Sequence, residues 1–192
     1  MIDNMRSQSL ADRQYQRYHA LLDTGIEMLG DPKAPSVTVR AVCRTAGLTE
    51  RYFYESFTDR DTFIRAVYGH VGELARAAIA GAVPATSPEA PVRAFVELVL
   101  DQPSVGRVLL LAPMSESAIS GSGLALAPTF VSLVEAQLTE LSEDDRHLVA
   151  VGVVGALTAL FVGYLDGTVR TPREKFVAHC VRLVSSASAL VP

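Results

Sequence analysis

The sequence predicts an all-α protein, on three observations. Apolar residues recur at three- and four-residue steps along most of the chain, capping residues stand where those runs begin, and almost no stretch alternates as a strand would. The expected architecture is an N-terminal helix-turn-helix three-helix domain over residues 1–58, joined through a helix over 59–82 to a C-terminal helical domain over 59–192.

From Leu10 to Leu29, the residues Tyr15, Tyr18, Leu22, Ile26 and Leu29 share one helical face. "GDPKAPS" then breaks the pattern with Gly30, Pro32 and Pro35 and predicts a loop. Thr38 is placed to cap a second helix whose inner face is Val39, Val42, Cys43 and Ala46, and Gly47 ends it. Thr49 is placed to cap a short third helix with Phe53 and Phe57 facing inward. Asp59 starts a long fourth helix carrying Phe63, Val67, Val71, Leu74 and Ala78, which reaches about Ala82.

Pro84, Ser87, Pro88 and Pro91 mark a connection into the second unit. There "APVRAFVELVLDQ" and "PSVGRVLLLAP" read as helices parted at Pro103, "SESAISGSG" as a small-residue loop and "LAPTFVSLVEAQLTEL" as a further helix. Ser142 with Asp145, and Thr171 with Pro172 and Glu174, place the starts of two final long helices.

Composition limits what this fold does. The 192 residues, 49% hydrophobic and 20% charged, suit a soluble globular protein, and a formal charge of −4 means that affinity for nucleic acid must come from a local patch. Cys43 and Cys180 stand far apart without metal or disulfide spacing, so a reduced, cytoplasmic setting is expected. The N-terminal stretch lacks the apolar core of a secretory signal.

Residues 148–165, "LVAVGVVGALTALFVGYL", carry no charge and reach the lower limit of a membrane span, roughly 17–25 residues. Their flanks, "EDDRH" and "DGTVR", lack basic clusters and aromatic belts, so a helix buried between neighbours and a partner subunit is the favoured reading and no membrane is expected. The last helix adds a stripe of Phe176, Val177, Cys180, Val181, Val184 and Ala187. A homodimer is therefore expected through the last two helices, about 143–166 and 172–190, as a four-helix interface on a two-fold axis.

The stretch "TVRAVCRTAGLTERYFYESF", residues 38–57, joins a helix, a Gly-containing turn and a second helix, as in a helix-turn-helix whose second helix enters the major groove. Val42, Cys43, Ala46, Leu48, Phe53 and Phe57 would lock the pair. Arg51 suits a guanine edge, through two donors to O6 and N7, and Tyr54 suits a phosphate.

These residues resemble the TetR family of bacterial transcription regulators. The family's pattern lies without a gap over "LLDTGIEML", "TVRAVCRTAGLTERYFYESF" and "RDTF", covering about residues 13–70. The resemblance implies phosphate contacts at Thr38 and Tyr54, a base or backbone contact at Arg40, and a cap at Thr49. It further implies reading positions at Glu50, Arg51 and Tyr52, and places Arg60 at the position of a DNA-contacting lysine. Several residues depart from the pattern. Arg51 and Tyr52 replace a Gly-Thr pair, Glu50 a frequently basic residue, Ser56 an aromatic or His, and Lys33 and Ala34 a Gly-aromatic pair. Glu50 suits either acceptance from cytosine N4 or repulsion of phosphate. Acidic and basic residues balance over 1–70, so a positive patch must be assembled from Arg40, Arg44, Arg51 and Arg60. Dimeric, salt-sensitive binding to double-stranded DNA is expected at half-sites ~34–36 Å apart or a multiple of it.

The same resemblance implies that the C-terminal unit binds a ligand and dimerises, and that the protein is a repressor released by a small molecule. Phe95, Met114, Phe130, Gln137, Phe161 and Tyr164 are the candidate lining of an apolar or amphipathic effector's pocket. His19, His70, His147 and His179 lack metal spacing, and no nucleophile elbow, P-loop or dinucleotide fingerprint is present, so neither an enzyme nor a cofactor is expected.

Overall fold

The computed structural model describes residues 2–82, 89–120 and 127–190. Among them are ten α-helices, two 3-10 helices and no strand. The predicted connection over 84–88 and the "GSG" at 121–123 lie outside the described residues.

Helices α1 (Ile2–Gly30), α2 (Val39–Ala46), α3 (Glu50–Ser56) and α4 (Arg60–Gly81) form the head. Helix α1 begins eight residues earlier than the apolar pattern, because the polar stretch before Leu10 holds no helix breaker. Leu21, Leu22 and Ile26 of α1 meet Val42, Phe53, Phe57, Phe63 and Val67 in one core. Tyr15, expected on the inner face, is 64% exposed and lies instead against His19, because α1 has outrun the helices that would cover it.

The turns follow from their residues. Thr38 Oγ1 accepts from the amide of Ala41 at 3.2 Å, and Asp59 Oδ1 accepts from Thr62 at 2.7 Å. Gly47 closes α2 in the left-handed region at φ 67°, with its amide and that of Leu48 bonded back to Arg44 and Cys43. Thr49 occupies the capping position of α3 but its hydroxyl makes no capping bond.

The second unit contains α5 (Glu89–Asp101), α6 (Pro103–Leu110), α7 (Ala112–Ser115), α8 (Ala127–Glu135), α9 (Glu143–Asp166) and α10 (Arg173–Ser185), with 3-10 turns at Ser117–Ile119 and Ala187–Leu190. Ser142 caps α9 by accepting from the Asp145 amide, as its spacing predicts. Thr171 does not cap α10, because Pro172 takes that position and carries no donor or acceptor side chain. Val105, Val108, Leu109, Ala112 and Ile119 belong to the same hydrophobic cluster as the head, so α6 and the turn after it are seated on α1 and α4. A Cβ at Gly30 would stand 2.5 Å from the Ser104 Cα, which shows how closely α1 meets α6.

One correction concerns the last helix. The stripe of α10 is already used within the chain: Phe176, Val177, Cys180 and Val181 pack with Val96, Val99 and Phe161. Helix α9 is buried on one side only, at Val149, Ala150, Val153, Phe161 and Gly163, and leaves Leu148 71% and Val151 48% exposed. Its length and apolar character meet the membrane-span criterion, and its open face is what the single chain does not cover.

Candidate nucleic-acid interface

A seven-residue helix cannot hold itself in water, so the position of α3 depends on its anchors. Phe53 is fully buried and Phe57 nearly so, their rings 5.4 Å apart and each within 5.3 Å of Phe63 on α4. Tyr18 of α1 stacks on Phe57 at 5.2 Å. With both phenylalanines fixed, the opposite face of α3 has one orientation. Arg51, with its side chain 84% exposed, and Tyr54, at 55%, lie on it.

The charges on that face are held in pairs. Arg40 of α2 lies 3.4 Å from Glu50, and Arg51 Nε donates to Glu55 Oε1 at 3.1 Å, one turn along α3. Arg17 of α1 sits 4.0 Å above the Tyr52 ring and 4.0 Å from Glu55. The two acidic residues of α3, Glu50 and Glu55, are thus each beside an arginine. Pairs this exposed contribute little to stability and part readily, at about 0.2–1 kcal/mol each, so both guanidiniums can change partners at low cost.

The structure brings Arg40, Glu50, Arg51, Tyr52 and Tyr54 onto or beside α3, and sets Thr38 at the start of α2 with its hydroxyl engaged as a cap. Arg60 is placed differently. Its guanidinium is bonded to the Val37 carbonyl, to Asp61 and to Glu116 of the second unit. Sequence reasoning missed Arg17, Glu55 and Glu116. The four-residue spacing of Arg51 and Glu55 was a usable signal, whereas nothing local marks Glu116, 56 residues from Arg60.

Farther from this face, α4, α5, α6, α8, α9 and α10 line a partly open apolar cavity of about 130 Å³. Phe95, Phe130, Gln137 and Phe161 line it, with Val92, Leu157 and Thr158. Two expected members lie elsewhere. Met114 is 79% exposed on α7, which turns Ala112 inward instead, and Tyr164 lies tilted against Phe176 at 4.3 Å in the neighbouring core. Among the described residues the lining carries no charged side chain, and the Thr158 hydroxyl already donates to the Val154 carbonyl.

No family model and no curated protein matches the sequence. Solved structures do. A TetR-like transcriptional regulator from Rhodococcus sp. RHA1 superposes with a TM-score of 0.72 at 20% identity, over 90% of this chain and 96% of its own. The fatty acid degradation regulator FadR from Bacillus halodurans gives 0.67 at 14% identity, over 88% and 94%. A TetR family transcription regulator from Marinobacter aquaeolei VT8 gives 0.64 at 13% identity, over 92% and 97%. Near-complete coverage at such low identity is a likeness of backbone rather than of side chains, and on it the chain has the all-helical fold of the TetR-like transcriptional regulators.

Proposed function

We propose that this protein is a dimeric, sequence-specific DNA-binding transcriptional regulator of the cytoplasm, acting as a repressor that a small apolar or amphipathic molecule releases. The observation that carries the reading is α3 itself: two buried phenylalanines hold it rigidly while Arg51 and Tyr54 project from its open face. A short helix fixed from behind and polar in front is suited to the major groove. Arg51 is assigned to a guanine edge, Tyr54 and Thr38 to phosphates, and Arg40 and Tyr52 to flanking contacts, with Glu50 placed to accept from a cytosine amine.

The cavity supports a ligand. At about 130 Å³ it holds little more than one benzene-sized group, whereas drug-sized ligands occupy about 300–1,000 Å³. A larger ligand therefore either extends through the open side of the cavity or pushes its helices apart. A ligand that parts the helices has unequal affinity for two arrangements of the chain, the condition for moving a DNA-binding equilibrium. Absence of charge in the lining selects a neutral or weakly polar body, with Gln137 available for one hydrogen bond.

The test is selection of duplexes from a random-sequence pool, followed by mapping of the protected bases. An inverted repeat with half-sites a helical turn or a multiple apart is the expected outcome, and binding that shows no sequence preference would reject the reading.

A further inference from the structure

Arg60 opens α4, and its guanidinium ties two parts of the molecule together. Nε donates to the Val37 carbonyl at 2.6 Å, in the segment entering α2; Nη2 donates to Glu116 Oε2 at 2.8 Å, between α7 and the following 3-10 turn; Nη1 donates to Asp61 Oδ1 at 3.2 Å. All three nitrogens are engaged on protein. Of the two carboxylates, Glu116 is the more sheltered, with its side chain 21% exposed against 53% for Asp61. A carboxylate at this distance offers a guanidinium the same charge-assisted acceptor that a phosphate oxygen would.

Arg60 opens α4, which reaches the cavity wall only at its far end, and Glu116 lies beyond α6, which reaches the wall at its last residue. Helix α4 contributes Ile79, and α6 contributes Leu110. From α6 the chain reaches Glu116 with little break, since the Leu111 amide bonds to Arg107 and the Glu116 amide to Ala112, both at 2.8 Å. Ile119, buried just beyond, fixes the turn to the core shared with the head. Glu116 is therefore parted from Arg60 only where the α6–α7 segment moves off the core that it shares with the head.

We propose that Glu116 is an intramolecular stand-in for a DNA phosphate, holding Arg60 on the protein in the DNA-free chain, so that the position of the α6–α7 segment determines whether Arg60 is released to the duplex. This rests on the DNA-binding reading above. It assigns a regulatory role to a residue of the second unit that touches neither DNA nor ligand.

The experiment titrates wild type, Glu116→Gln, Arg60→Gln and the double variant against one fluorescent duplex recovered by selection, over a series of salt concentrations. Glu116→Gln is expected to bind about two- to fivefold more tightly. Its slope of log K against log salt should steepen by about 0.9 for each Arg60 that reaches a phosphate. Neither change should occur in the Arg60→Gln background. Glu116→Asp, which keeps the charge, should retain the wild-type slope, and circular dichroism checks that each variant is folded. An unchanged or weakened affinity for Glu116→Gln, or an equal gain with and without Arg60, overturns the latch while wild-type binding stands. Wild type that fails to bind the duplex at all would reject the DNA-binding reading, and the latch with it.

Discussion

At the scale of single residues, the reading head depends on a glycine for its geometry and on an arginine for its selectivity. Gly47 has φ 67°, and a Cβ there would meet nothing within 4 Å, so any cost of a side chain is one of backbone conformation alone. Gly47→Ala is expected to lose ~1–2 kcal/mol in urea unfolding, and Gly47→Asn to recover part of it because asparagine tolerates the left-handed region. An equal loss for Ala and Asn would mean that something other than φ is at stake. Arg51 is the opposite case. Its ion pair with Glu55 is exposed and short in range, worth about 0.3–0.5 kcal/mol, so Arg51→Ala should leave the melting temperature nearly unchanged. Against DNA the same substitution should lose ~1–3 kcal/mol at one base position, and discrimination there should relax. Parallel losses on selected and random duplexes would reassign Arg51 to the phosphate backbone.

At the scale of elements, the head meets the second unit closely where α1 ends against α6. A Cβ at Gly30 would lie 2.5 Å from Ser104 Cα and 2.6 Å from its carbonyl oxygen, which are backbone atoms and yield only if a helix moves. Gly30→Ala should therefore destabilise the chain by ~1–3 kcal/mol, as overpacking does. Gly69 is the internal control, since it lies in α4 with open space around it, and Gly69→Ala should gain about 0.5–1 kcal/mol from helix propensity. A gain at both positions would show that α6 does not press on α1. The contrast also shows what was legible in the sequence. The apolar faces of α2, α3 and α4 and their caps at Thr38, Gly47 and Asp59 follow from local periodicity and side-chain chemistry, and they are found as expected. The exposure of Tyr15, the inward use of the α10 stripe and the Arg60–Glu116 bond depend on which helix lies across from which. Periodicity says that a face is apolar; it does not say what covers it.

At the scale of the whole molecule, that uncovered face is on α9. Leu148, Val151, Gly152, Gly155, Ala156 and Ala159 are exposed in the single chain, and they recur at three- and four-residue steps with no charge among them. Glycine inside a helix costs ~1 kcal/mol relative to alanine, and at Gly152 and Gly155 no neighbour among the described residues explains it, since a Cβ at either would meet none of them within 4 Å. Close approach of a partner's backbone does explain it, because small residues let two helices meet at short distance. The interface we propose is accordingly centred on α9, with α10 contributing from its polar side because its apolar stripe is already packed inward. Gly155→Ala separates the two cases by sign. If the chain works as a monomer, the substitution should stabilise it by about 0.5–1 kcal/mol at every protein concentration. If α9 meets α9 of a second copy, the added methyl should weaken association, by ~1–3 kcal/mol where the interface cannot relax. Sedimentation should then show the variant dissociating at concentrations where wild type remains dimeric, and its melting temperature should rise with protein concentration. The consequence reaches the DNA: two heads held by one interface bind half-sites together, so the same methyl group, remote from α3, should lower affinity for a two-half-site duplex and leave a single half-site unaffected.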